Sequence, residues 1–169
     1  MRRRILHPKV IEPTEKFFIL TIDRLQFAIP MGVVVRVLSP SQPIEWNTQS
    51  IPTLDLRYLI SDITSDITSD ITSDITNDIQ DSPSHSSAIH QPYTLIIASN
   101  PDKPWGLQIP TLPNLLTLPT QAIKDFPNPE TDRSIHHLSD RFITLSIGEL
   151  TQTLFLINLS HLEASIGVA

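Results

Sequence analysis

The residues able to carry chemistry fall into four groups, and the spacing within each limits what it can do. Six aspartates (Asp62, Asp66, Asp70, Asp74, Asp78 and Asp81) lie between Ser61 and Asp81 with no Lys or Arg among them. Carboxylates are hard oxygen donors suited to calcium, but a calcium site draws several ligands to one point and usually needs Gly to turn the chain. No Gly lies between positions 33 and 105. Paired carboxylates for acid–base work would have to come from the same run, which lacks the rigid support such geometry requires. The second group is six histidines. His136 and His137 are adjacent and, on a strand, point to opposite faces, so that spacing does not place both on one ion. His85 and His90 lie in a polar stretch, and no His-x3-His pair stands beside carboxylates. The third group is nucleophiles. Cys is absent, which excludes thiolate metal sites, disulfide frameworks and cysteine catalysis. There is no Gly-x-Ser-x-Gly elbow, and the four glycines at 32, 106, 148 and 167 are too dispersed to cradle a phosphate. The expectation is no catalytic residue, no metal, no cofactor and no enzyme.

The fourth group suits contact rather than catalysis. Arg36 sits in Val33-Val34-Val35-Arg36-Val37-Leu38. It is either an outward residue on an edge strand or a charged contact at an interface rim, because a buried arginine would need a partner. Trp46 is either an anchor for a partner, tryptophan being enriched at binding hot spots, or a cover for the end of the first half of the fold. Asp55 and Arg57 lie two apart on one expected strand face, where they pair with each other, cap the following turn, or meet a partner. Trp105, alternating with Leu107 and Ile109, is expected in the core.

The elements that position these residues come from 169 residues, 40% of them hydrophobic, which suits one domain with its own core. The formal charge of −6 is concentrated. Without the six aspartates of the run, twelve acidic residues balance twelve basic ones, and beyond Arg2-Arg3-Arg4 the basic residues are scattered. Nothing forms a stripe for a phosphate backbone, so nucleic acid is not expected as a partner. No apolar run approaches the roughly 18 residues of a membrane span. The basic start does not lead into an apolar segment, so the expectation is no signal peptide and a cytoplasmic location.

Residues 61–91 read as an insertion. SDIT occurs four times in succession from Ser61 to Thr76. On a helix a period of four drifts about 40° per repeat, so the isoleucines form no stripe. On a strand Ser and Ile share one face and Asp and Thr the other, with little apolar area to bury. A low-complexity, disordered loop is expected here. After a flexible tail (1–14), it interrupts one domain (15–165), leaving a first subdomain of about 15–60 and a second of about 92–165.

Both halves read as short strands. Phe17 to Ile22 and Leu25 to Ile29 alternate around Asp23-Arg24 as a hairpin, with Leu25, Phe27 and Ile29 facing the core. Val33 to Leu38, Ile44 to Trp46 and Ile51 to Leu56 follow. Tyr93 to Ala98 and Trp105 to Ile109 flank the turn Asn100-Pro101-Asp102-Lys103-Pro104. Leu112 to Leu118 is an apolar run held extended by prolines, and Thr120 is expected to cap a helical turn that Pro127 and Pro129 end. Arg141 to Ile147 and Thr151 to Ile157 make a hairpin across Gly148-Glu149, before Asn158 or Ser160 caps a helix reaching Ala164. The fold class is all-β, in barrels or a sandwich.

The order of these strings resembles the CheW family of chemotaxis coupling proteins. The resemblance rests on Phe27-Ala28-Ile29-Pro30, Val35-Arg36-Val37-Leu38, Ile51-Pro52-Thr53-Leu54-Asp55-Leu56-Arg57, Trp105-Gly106-Leu107-Gln108-Ile109 and Leu154-Phe155-Leu156-Ile157-Asn158-Leu159. It covers residues of about 15–60 and 92–165. It implies two small five-stranded, SH3-like barrels with a short C-terminal helix. It also implies a non-enzymatic adaptor whose partners are the regulatory domain of a CheA-type histidine kinase and the cytoplasmic tip of a chemoreceptor, recruited to membrane-associated receptor arrays. Arg36, Trp46, Asp55 and Arg57 are then the candidate partner-binding residues. Two departures stand out. Only twelve residues, Ser39 to Ser50, precede Ile51, without the family's Asn-Leu-Arg-Gly turn, and Asn158 replaces a closing Asp. The alternative is a protein of this fold that has lost kinase coupling and binds another protein.

Overall fold

The alternating runs of the sequence become strands that pair across the whole length of the chain. The structure, a computed structural model, describes residues 12–22, 24–60, 91–126, 135, 138–148 and 150–168. Residues 1–11 of the expected tail, Asp23, residues 61–90 of the insertion expected at 61–91, Pro127 and Pro129, the His136–His137 pair and Glu149 lie outside the described residues.

Strands β1 (Thr14–Ile22) and β2 (Leu25–Pro30) form the expected antiparallel hairpin, with Ile22 opposite Leu25. They are followed by β3 (Val34–Leu38), the small hairpin of β4 (Glu45–Trp46) and β5 (Gln49–Ser50), and β6 (Thr53–Asp55). The second half supplies β7 (Tyr93–Ile97), β8 (Trp105–Ile109), β9 (Asn114–Pro119), β10 (Ile123–Asp125), β11 (Ser139–Ile147) and β12 (Leu150–Ile157). Among the described residues these make a six-stranded sheet in the order β10-β11-β12-β2-β1-β9, a four-stranded sheet in the order β3-β7-β8-β6, and the β4–β5 pair. The fold is all-β with a short C-terminal helix.

Hydrogen bonding does not stop at the insertion. β12 runs parallel to β2, β9 antiparallel to β1, and β7 antiparallel to β3, so both larger sheets draw strands from both halves of the sequence. At nine residues β1 is long enough to carry β2 on one edge and β9 on the other, which helps bring six strands into one sheet.

The wall β12-β2-β1 has apolar side chains on both faces. Leu20 and Ile22 of β1, Phe27 and Ile29 of β2, and Ile157 of β12 enter one core, which also holds Trp105, Leu107, Ile109, Leu95, Ile97 and Leu56. Phe17 and Ile19 of β1, Ala28 of β2, and Leu154 and Leu156 of β12 enter a second core with Leu118 and Ile143. Because side chains alternate along a strand, one strand can serve two cores only if its residues are apolar at both parities. Phe18 to Ile22 and Phe27 to Ile29 come close to that pattern.

Two strand exits use the same device. Pro30 precedes the 3-10 turn Met31–Val33 leading into β3, and Pro119 precedes the 3-10 turn Thr120–Ala122 leading into β10. The helical turn expected at Thr120 is present, but Pro119 takes the cap position and the Thr120 hydroxyl instead donates to the Pro13 carbonyl at 3.2 Å. Proline fixes its own φ and holds the exit extended before the turn tightens.

A further local correction concerns the end of β6. Leu56 and Arg57, expected on a strand, are helical, as are residues 56–60 as a whole. The Asp55 carboxylate accepts the Arg57 backbone N–H at 2.9 Å, satisfying a donor that a helix start leaves open. At the other end of the chain, Asn158 caps the helix Leu159–Ser165 by accepting the His161 backbone N–H at 3.2 Å, and Leu162 anchors that helix in the first core.

Candidate functional site

The β4–β5 hairpin turns through Asn47 and Thr48, both left-handed, at φ of 51° and 67°. Two positive φ values in succession match the twist of a two-residue hairpin and keep it tight. The turn holds Trp46, half-buried, over a cleft of about 510 Å3. Ile51 and Pro52 continue that side of the cleft, and Pro101 and Pro104 from the β7–β8 turn face it. The β7–β8 turn is held by Asn100, whose side-chain oxygen accepts the Asp102 N–H at 3.1 Å while its carbonyl accepts the Lys103 N–H at 3.0 Å. Gly167 and Val168, just past the C-terminal helix, line it as well. The volume lies within the usual range for a ligand cleft, and the lining mixes stiff prolines and an indole with the polar residues Asn47, Gln49, Ser50, Asp102 and Lys103.

The four residues singled out from the sequence do not gather in this cleft. Trp46 lines it. Arg36 is exposed on β3, an edge of the four-stranded sheet, and makes no ion pair among the described residues. A bulge between Val34 and Arg36 interrupts its pairing with β7. Asp55 and Arg57 lie at the opposite edge, at the end of β6, three strand spacings or about 14 Å away along the sheet. They are occupied with each other: Arg57 Nη2 donates to Asp55 Oδ2 at 2.6 Å, and Arg57 Nε to Asp55 Oδ1 at 3.1 Å. That hydrogen-bonded contact raises the Arg57 pKa above its ordinary value, against a smaller lowering by desolvation.

Several features were not legible as site residues. The β7–β8 turn reads in sequence as ordinary punctuation, and only its pairing across from Trp46 makes it a wall. Gly167 and Val168 come after the last periodic residue of the helix. The run Leu112 to Leu118 reads as apolar, yet Leu115 and Leu116 are exposed on the edge strand β9 and Leu112 is exposed just before it. Among the described residues no three His, Cys, Asp or Glu side chains converge as a metal site would require.

No family model matches the chain. No curated protein matches it either. Among solved structures, the scaffolding protein TtCheW from Thermoanaerobacter tengcongensis is similar, with a TM-score of 0.52 at 11% sequence identity, over 94% of this chain and 91% of that one. The chain has a CheW-like fold.

Proposed function

We propose that this protein is a non-enzymatic signalling adaptor, working in the cytoplasm, that couples chemoreceptor tips to a CheA-type histidine kinase through protein–protein contacts. The observation that carries this reading is a likeness to a CheW scaffolding protein that spans nearly the whole chain. In this reading residues 15–165 are one CheW-like domain interrupted by the insertion 61–91. Arg36 and Trp46 supply partner contacts, and Asp55 and Arg57 add a charged edge. Such interfaces rest on a few apolar anchors, with rim charges setting specificity and encounter rate.

A second reading has a specific observation behind it. The segment Ser39 to Ser50 forms a Ser39–Gln42 turn and the β4–β5 hairpin, where the resemblance implies a longer partner-contact segment. A protein that kept the fold and exchanged kinase coupling for another protein partner would be built this way. Reconstitution separates the two. Receptor cytoplasmic fragments and a CheA-type kinase are co-sedimented with and without this protein, and kinase activity is followed. Adaptor-dependent recruitment and altered kinase activity support coupling. Recruitment of neither component, from a folded sample, supports the second reading.

A further inference from the structure

Glu163 is bonded to two sides of the cleft at once. Its carboxylate oxygen Oε1 accepts from Trp105 Nε1 at 3.2 Å and from the Ser99 hydroxyl, and these two residues flank the turn that carries Pro101 and Pro104. Its main-chain carbonyl accepts the Val168 N–H at 3.0 Å, while the Gly167 N–H bonds to the Ala164 carbonyl at 3.3 Å and Gly167 reverses the chain at φ 71°. That paired pattern is the left-handed helix stop in which only glycine sits without strain. Trp105 is fully buried, so the indole N–H that Glu163 grips is fixed in the first core. The helix has only seven residues, too few to persist without tertiary support.

We infer that Glu163 is a positioning residue that joins the C-terminal helix and the β7–β8 turn into one unit, so that these two walls of the cleft move together and separate only when the helix undocks. One carboxylate oxygen with two donors is a charge-assisted contact, stronger than a neutral hydrogen bond. Of the two residues that line the cleft past the helix, Val168 is tied to Glu163 by the main chain and Gly167 to the neighbouring Ala164. An occupant touching both sides therefore stabilises the docked helix, and undocking removes one wall entirely. This coupling belongs to the free protein and holds whatever partner the cleft receives.

Native-state hydrogen exchange followed by NMR on the full chain tests it, reading the Val168 N–H on one side and the Lys103 and Asp102 N–H groups on the other. Ser99→Ala changes only an exposed side chain in the β7–β8 loop, yet it should speed exchange at Val168, 69 residues away in sequence, severalfold. Glu163→Ala should speed exchange on both sides by a common factor of about tenfold or more, the scale of a hydrogen bond to a charged group. Glu163→Gln, which keeps an acceptor without the charge, should fall between. Acceleration confined to one side, or unchanged rates on both in Ser99→Ala, would overturn the coupling. Ser99→Ala keeps the test open should Glu163→Ala not fold.

Discussion

Phe27 and Ala28 are adjacent in the chain and fill different cores. Phe27 packs in the first with Trp105 and contacts the Phe155 ring at a centroid distance of 5.9 Å, while Ala28 enters the second beside Phe17 and Leu154. The strand between the cores is shared, so damage on either face is felt by both.

Phe27→Ala should cost about 3–5 kcal/mol, and Ala28→Leu, which overfills the second core, about 1–3 kcal/mol. Both variants should still melt in one transition. In a Trp46→Phe background, Trp105 fluorescence reports the first core, and the methyl resonances of Leu118 and Leu154 report the second. Two separate midpoints would show that the wall does not couple them.

Gly106 lies where three side chains crowd the centre of the four-stranded sheet. A Cβ there would stand 2.9 Å from Thr94 Cγ2 and 3.1 Å from Thr53 Cγ2. Thr94 is buried and cannot swing away. Gly106→Ala should therefore destabilise by about 1–3 kcal/mol, and Thr94→Ser, which removes the closest methyl, should relieve part of that loss in the double variant. Additive losses in denaturant unfolding would contradict the crowding.

The Asp55–Arg57 pair is unequal. Asp55 has a side chain only 10% exposed and caps a helix start, whereas the Arg57 side chain is 44% exposed. Asp55→Ala should cost about 1–2 kcal/mol and Arg57→Ala distinctly less, under about 1 kcal/mol. Equal losses would mean that the ion pair, not the cap, matters. The Arg57 pKa is raised, chiefly by its hydrogen bond to Asp55. A raised pKa stabilises the fold below the unfolded-state value and loses that effect only as pH rises through the folded one. Arg57 therefore adds no slope to stability across neutral pH, and its contribution fades only in strong alkali.

Thr48 is a β-branched residue held at φ 67°. That conformation costs an L-residue roughly 1–2 kcal/mol, and glycine avoids it. Glycine also gains freedom in the unfolded chain, so Thr48→Gly should stabilise the protein by a net amount of up to about 1 kcal/mol. A lower midpoint in thermal unfolding would contradict this. The neighbouring turn residue Asn47 tolerates its positive φ through its short polar side chain.

The strands were legible because their alternation is strong: Phe17 to Ile22, Phe27 to Ile29, and Trp105 with Leu107 and Ile109 declare their buried faces. The resemblance to CheW pointed to the same fold. Ala28 was less legible, since one small residue gives no sign that the opposite face of its strand is also buried. The helix start after Asp55 was hidden by the apolar string Ile51 to Leu56, which reads as one strand until the carboxylate is seen bonded to the next N–H but one. The site was the least legible part. Its walls come from Trp46, Pro101 and Val168, which are far apart in sequence and meet only through the pairing of β6 with β8 and the docking of the last helix.

The most direct test of the adaptor reading is calorimetric titration of the 169-residue chain with the regulatory domain of a CheA-type kinase from the same genome, repeated with Trp46→Ala. Micromolar binding is expected, weakening about tenfold or more when the indole is removed, as loss of a buried anchor does. A folded, cooperatively melting sample that releases or absorbs no heat with the kinase domain would contradict it.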